Sequence, residues 1–356
     1  MERDVVKPAA LRPASEIGAG VLDAKGVGRS ALVIGFLAYV AVASGAWWGA
    51  LKVVPAQLAL PIVHKTLPLH DHLNNVFLIF LLLPTALWIE SIVVGWNASS
   101  LRQLVLAPTA SMKTDLAVFI LGQGHVLDVV GRLLLLGASM ISGGWIHDAI
   151  HRATGVNLGP PPLPFAAQIP LYFAVYTFFD YWTHRTDHTR LFWPLHRYHH
   201  SAEQFSVVTS ARQHPAPFTA VFIVNLPLAV LGAPPEVMIY VNVLVVGIGF
   251  LIHSRIESDW GFVGRWLVQS PNHHRLHHKL DMSYPTGHFA IMPLWDRLFG
   301  TWYGDHPDPK LAIGVDTPYR HGFFVPRDML RDYAHFWMGW FGRRNDGPES
   351  DLFRKR

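Results

Sequence analysis

The sequence predicts an all-α integral membrane protein with about four transmembrane helices, a re-entrant hairpin and a helical dome on one membrane face. Three observations predict it. Of 356 residues, 51% are apolar and only 15% charged, and the mean hydropathy is +0.24, a membrane composition rather than that of a soluble domain. Apolar runs recur at lengths near the ~20 residues a helix needs to cross a hydrocarbon core. Twelve of the 21 histidines fall between residues 184 and 288, beyond most of those runs.

The elements follow in order. Residues 1–30 are polar, contain Pro8 and Pro13, and form an N-terminal segment. The apolar run after them is too long for the core of a cleaved signal. Candidate spans are 31–53, 74–96, 115–141 and 165–183. The third contains Asp128 and Arg132, spaced to pair along one helix face. The loop 154–164, with Gly155 and four prolines, cannot be a continuous helix. The apolar stretch 218–253 is broken by Gly232-Ala233-Pro234-Pro235. Each half is too short to span comfortably, which predicts a re-entrant hairpin or two tilted short helices. This divides the chain into 1–30, the first transmembrane helices 31–114, a histidine-rich unit 115–303 and a C-terminal tail 304–356.

Charge orients these elements. Arg3, Lys7, Arg12, Lys25 and Arg29 precede the first span, Lys65 alone lies in the loop 54–73, Arg102 and Lys113 lie in 97–114, and Arg152 alone lies in 142–164. The region after 183 is again basic. By the excess of Lys and Arg on the inner side, the N-terminus and the whole histidine-rich region face the cytoplasm. A net charge of +4 is too small to point to nucleic acid. With no cysteine in the chain, disulfide, iron–sulfur and thiol chemistry are excluded, and any metal must be held by nitrogen or oxygen.

The histidines supply the nitrogen. They form His184-x-x-x-His188, His196-x-x-His199-His200 and His274-x-x-His277-His278, with His273 beside the last and His214 and His253 standing alone. Residues three or four apart share a helix face, so each cluster can aim at one site. Neutral imidazole binds iron, zinc, copper or nickel. Nine or ten such ligands fit two ions better than one. His64, His70, His72, His125, His306, His321 and His335 read as solvated or hydrogen-bonded side chains. His147 and His151 have helical spacing too, but the predicted topology puts them on the opposite membrane face.

At these residues the chain resembles the fatty acid hydroxylase/sterol desaturase superfamily of membrane enzymes, which carries the same three histidine boxes in order. The segment Leu294-Trp295-Asp296-Arg297-Leu298-Phe299-Gly300-Thr301 is similar to a second family signature, and Ala211-Arg212-Gln213-His214-Pro215 resembles another. Pro285-Thr286-Gly287 stands where many relatives have Asn-Tyr-Gly or Asn-Phe-Gly, so no asparagine role carries over. The resemblance implies two non-haem iron ions, dioxygen as co-substrate and hydroxylation or desaturation of a lipid such as a sterol or fatty acyl chain. It implies His184, His188, His196, His199, His200, His253, His274, His277 and His278 as ligands, with His214 a tenth candidate. Asp180, Asp187, His273, His288, Asp296 and Arg297 are candidates to orient them, since metal-bound imidazoles donate their other N–H to a carboxylate or carbonyl. The lipid would arrive from the bilayer past Phe173, Tyr176, Phe178, Phe179 and Tyr181. Two electrons per turnover would come from a separate carrier, cytochrome b5 or a ferredoxin/reductase pair, because no flavin, nicotinamide or haem motif is visible. A membrane zinc hydrolase is the alternative, but no HExxH and no suitably placed glutamate supports it. A non-catalytic metal-binding or transport protein would place ionisable residues along the spans themselves.

Overall fold

The computed structural model describes residues 27–60, 65–123, 138–215, 218–280, 287–304, 306–323 and 325–342. The expectations for 1–26, for much of the third span with His125, Asp128 and Arg132, and for His64, Pro285 and Thr286 lie outside the described residues.

The architecture is predominantly helical. α1 (Arg29–Val53) runs 25 residues and stops before Pro55. It leaves Ile34, Leu37, Val42 and Trp48 exposed. A helix apolar on nearly every side belongs in lipid. Its contacts are with α2 (Leu69–Val94), where Tyr39 stacks on Trp88 and the Trp47 indole donates to Asn74 at 3.0 Å. Between them lies an antiparallel pair, β1 (Gln57–Leu60) and β2 (Lys65–Pro68), which the all-helical expectation did not contain. α3 (Ser100–Leu106) and α4 (Ala110–Gln123) follow, then α5 (Ala138–Thr154) and α6 (Phe165–Asp187).

The broken apolar stretch is indeed a hairpin. A π-helical segment (Ala220–Asn225) leads into α8 (Leu226–Val230), and α9 (Pro235–Ile252) returns. Gly232, at φ +59°, makes the turn, and Pro235 opens α9 at a position where its missing N–H costs nothing. The returning half, predicted too short to span, forms α9, an unbroken 18-residue helix, long and apolar enough to cross a membrane. α1 is the other such helix, and α3 with α4, bent by 95°, makes a third if the pair is one broken span. The described residues therefore hold two or three candidate spans rather than about four. α6 lies where another was expected, but its last turns carry Asp180, His184, Arg185 and Asp187, which suit an aqueous rim better than hydrocarbon.

α6 and α9 pack side by side around Tyr172, Phe173, Val224, Leu228, Val237 and Val241. α2 covers the next side through Ala86, Leu87, Val207 and Phe250. This layer has two ends. At one, α5 meets the hairpin bend, and the His147 Nδ1–H donates to the Val230 carbonyl at 2.9 Å. The other end is about 27 Å away by the length of α9. There the short helices α7 (Trp193–His200), α10 (Gly261–Trp266), α11 (Pro271–His277) and α12 (Leu294–Leu298) gather. The C-terminal region expected as a tail contains α13 (Pro326–Trp340), packed on α7, with Asp332 accepting from Arg197 at 2.7 Å.

Candidate metal centre

Four helix C-termini converge at this end. α6 brings His184 and, at its C-cap, His188; α7 brings His196, His199 and His200; α9 ends on His253; α11 brings His274, His277 and, at its C-cap, His278. His188, His253 and His278 share one C-cap conformation, with φ of −83°, −90° and −83° and ψ of 5°, 3° and 7°. The cap extends the histidine row of α6 and α11 by one residue past the last helical turn. Each C-terminus carries a partial negative charge, equivalent to about half an electron. Four of them aimed at one place favour cations there.

The nine histidines fall into two groups. His184, His188, His196, His200 and His277 form one, and His199, His253, His274 and His278 the other, each with its ligand atoms within 4.8 Å of one another. His184 and His188 share one site as expected, but the second and third boxes, each expected to aim at one site, are split between the two. On α7, His196 and His200 lie about 40° apart around the helix and face the five-histidine group, while His199, about 60° to the other side of His196, faces the four-histidine group. On α11 the roles reverse: His274 and His278 join the four, and His277 joins the five.

Proton positions follow from the hydrogen bonds. His184 Nδ1–H donates to the Phe289 carbonyl at 2.7 Å and His277 Nδ1–H to the Gly287 carbonyl at 2.7 Å. His199 donates to the Arg212 carbonyl at 3.1 Å, and His253 to the Gly249 carbonyl at 2.6 Å. His274 donates to Gln269 Oε1 at 2.9 Å, whose own amide is fixed by donating to the His288 carbonyl at 2.7 Å. A neutral imidazole with its proton on Nδ1 has a bare lone pair on Nε2. Yet His253 Nε2 lies 3.2 Å from His199 Nε2 and 2.9 Å from His274 Nε2. No hydrogen is available to join these atoms, so lone pair faces lone pair. Two nitrogens at about 2.1 Å from one ion and at right angles sit about 3.0 Å apart. The same spacing recurs in the other group, at 3.1 Å for His184–His196 and His196–His200 and 3.2 Å for His188–His277. Both ring nitrogens of His278 are buried without a hydrogen-bond partner among the described residues. The residues present fit bound metal.

Burial holds the imidazoles neutral. Desolvation, with the mutual repulsion of neighbouring rings, keeps all but His184 and His253 of the nine well below the usual 6.5. His184 and His253 are lowered to about 4 by burial. Their lone pairs are available at neutral pH without displacing protons. Aromatic rings wall the groups. Phe289 lies against His184, His188 and His277, Trp193 against His188 and His200, and Phe205 against His253, His274 and His278.

The remaining candidates are placed differently. His214 joins neither group; its Nε2–H donates to the Met329 carbonyl of α13 at 2.9 Å. Asp187 lies 3.9 Å from His196 Nδ1 and accepts from Thr219 at 2.6 Å. Asp180, by contrast, makes no hydrogen bond to any of the nine. Asp296 touches no histidine, but its two oxygens accept from the Phe289 and Ala290 amides at 2.9 Å each, holding the loop whose carbonyls receive His184 and His277. His288 acts through its backbone, by way of Gln269, and His273 packs against it and Trp302. Arg297 instead lies between the Trp266 and Trp302 rings, 4.3 Å from each.

Sequence reasoning missed most of the true partners of the Nδ1 protons. Four of the five that receive one are main-chain carbonyls, which leave no side-chain signature. Gln269 could have been found: Ser270 caps α11, accepting from the His273 amide at 3.3 Å, and the residue before such a cap lies beside the first turn.

Comparison with known proteins agrees with this geometry. Residues 169–301 match the fatty acid hydroxylase family. The chain is 28% identical over 169 residues to the ornithine lipid hydroxylase OlsE of Rhizobium tropici, covering 47% of this chain and 51% of that protein. It is 32% identical over 144 residues to an alkylglycerol monooxygenase of Danio rerio, covering 39% of this chain and 30% of the relative. The Homo sapiens alkylglycerol monooxygenase is 30% identical over 143 residues, with coverage of 39% and 31%. No solved structure matches. The segment 169–301 is thus similar to the fatty acid hydroxylase family. It spans about half the length of the first of these relatives and less than a third of the other two.

Proposed function

We propose that this chain is a membrane-bound di-iron oxidoreductase that hydroxylates a lipid, using dioxygen and two electrons delivered by a separate carrier. The observation that carries the reading is the contact of bare Nε2 atoms at 2.9 and 3.2 Å among His199, His253 and His274, with the same spacing repeated in a second group. An imidazole donor set accommodates iron, as it does zinc, copper or nickel, and the choice of iron rests on the relatives' names, which give hydroxylase and monooxygenase chemistry on lipids. This favours hydroxylation over desaturation.

His184, His188, His196, His200 and His277 would hold one iron, and His199, His253, His274 and His278 the other. Bound iron would supply the activation of dioxygen needed to break an unactivated C–H bond. The chain's own part is placement and dryness. The carbonyls of Phe289, Gly287, Arg212 and Gly249 keep the Nδ1 protons in place, so the Nε2 lone pairs stay directed inward. Phe289, Trp193 and Phe205 exclude water from the imidazoles. The lipid would reach His184 along α6, where Tyr176 and Phe179 pack in the α6–α9 core and Phe178 packs on Trp295 and Phe299. The histidine end is read as the cytoplasmic face, where cytochrome b5 or a ferredoxin/reductase pair would dock.

The test is lipid analysis of a strain lacking the gene, paired with the purified protein. A single hydroxylated lipid should disappear while its precursor, lighter by one oxygen atom, accumulates. Iron-loaded protein with reductant and isotopically labelled dioxygen should put the label into that precursor. An unchanged lipid profile, with no oxygen uptake across a lipid panel and a zinc-supported esterase activity, would overturn the reading.

A further inference from the structure

Three fully buried carboxylates brace the main chain around the histidines. Asp296 lies within the family-matching segment and holds the loop 287–290, whose Gly287 and Phe289 carbonyls serve the five-histidine group and whose His288 carbonyl fixes Gln269 beside His274 of the other. Glu90 on α2 and Asp115 on α4 lie outside the matching residues 169–301, and both are 0% exposed.

The ligand-orienting contacts these two hold lead to the four-histidine group, while Ser201, the cap after His200, is the point where their network also meets α7. Asp115 Oδ1 accepts from Arg212 Nε at 2.5 Å, and Oδ2 accepts from Thr209 Oγ1 at 2.8 Å. The Arg212 guanidinium also donates to the Ser111 carbonyl at 2.7 Å and to Ser201 Oγ at 3.0 Å. Fixed by these three residues, Arg212 presents its own carbonyl to His199 Nδ1. Glu90 Oε1 accepts from the Arg255 amide at 2.7 Å and from Ser100 Oγ at 2.8 Å, and Oε2 accepts from the Ser100 amide at 2.6 Å. Arg255 stands two residues after His253. Its Nε donates to the Phe205 carbonyl at 3.3 Å, and the Phe205 ring covers His253, His274 and His278.

We propose that Glu90 and Asp115 are positioning residues for the four-histidine group alone, so that helices ahead of the family segment complete one of the two metal positions. This rests on the two-ion reading above. An ionised carboxylate only accepts hydrogen bonds. Replacing one oxygen with an NH2 group sets donor against donor and shifts the main chain that orients His199 or His253. Partners one step behind a ligand typically change metal affinity by about 10–100-fold.

The test is anaerobic titration of the full chain in lipid nanodiscs with Co(II), read by stoichiometry and by the visible spectrum of each bound ion. His274→Ala and His277→Ala mark which binding step belongs to which group. Wild type should take up two equivalents. Asp115→Asn should keep the five-histidine step at wild-type affinity and weaken the other by about tenfold or more. Glu90→Gln, on a different helix, should do the same, and it carries the test if Asp115→Asn does not fold. Asp296→Asn, which loosens the loop serving both groups, should weaken the five-histidine step as well and so differ from both variants. Equal weakening of both steps, or of neither, by Asp115→Asn and Glu90→Gln would overturn the proposal while leaving two ions in place. Fewer than two equivalents in wild type would overturn the two-ion reading and the proposal with it.

Discussion

His199 and His200 are neighbours in the chain and face different metal groups. His199 Nε2 lies 3.2 Å from His253 Nε2, whereas His200 Nε2 lies 3.1 Å from His196 Nε2. The peptide bond between them therefore ties the two groups together, and the stacked rings of His200 and His278, 4.1 Å apart, join them again.

Both groups should be needed. His199→Ala and His277→Ala, one from each group, should each lower activity by at least about a hundredfold and lower bound iron, since even partners behind the ligands cost 10–100-fold. His147→Ala and His151→Ala, at the hairpin bend, should leave both unchanged. Iron analysis beside a lipid hydroxylation assay checks this, and equal loss from both pairs would contradict the placement.

Gly287 tests the carbonyl that receives His277. A Cβ at this position would lie 2.1 Å from the Thr301 carbonyl oxygen and 2.8 Å from the Tyr303 ring. Gly287→Ala must displace the loop, so it should lower bound metal about tenfold and reduce stability by about 1–3 kcal/mol. Metal titration and thermal melting of the same variant read the two effects separately.

The neutral histidines make a pH prediction. His184 and His253 are held at about 4, below the ordinary 6.5. The unfolded chain therefore binds more protons than the native one as pH falls below about 6.5. Metal-free protein should lose stability progressively from about pH 6.5 down to about 4, and hold it above. Melting temperature across that range measures this; a flat profile would show imidazoles that are solvated and not buried.

Asp332 tests the last helix. It accepts from Arg197 and from Tyr319 Oη at 2.7 Å each, and Arg197 sits between His196 and Tyr198 on α7. Asp332→Ala leaves a buried guanidinium without its carboxylate, a loss of about 3–5 kcal/mol. The melting temperature should fall, and limited proteolysis should cut near α13 first. Unchanged proteolysis would show that α13 does not depend on this pair.

The histidine boxes made the site legible because ligand chemistry needs a particular side chain, and helical spacing survives in the sequence. The split of the second and third boxes was not legible. Residues three and four apart share a face only approximately, and the divergence of His199 from His200 matters once two groups lie side by side. The break was visible in Gly232-Ala233-Pro234-Pro235, but the half after it reads as too short to span, whereas an apolar helix of 18 residues is long enough. Glu90 and Asp115 were invisible, since a buried carboxylate in an apolar run announces a cost without naming its partner. Asp296 stood out in its motif, yet it touches the loop at Phe289 and Ala290 and no histidine at all.

The central claim is that two ions sit in nine histidines. Iron content per chain, measured on anaerobically purified protein together with its Mössbauer spectrum, tests it most directly. The account predicts two irons per chain in nitrogen-rich environments, with His278→Ala and His188→Ala each perturbing a different one. A single zinc per chain, or iron that survives both substitutions unaltered, would contradict it.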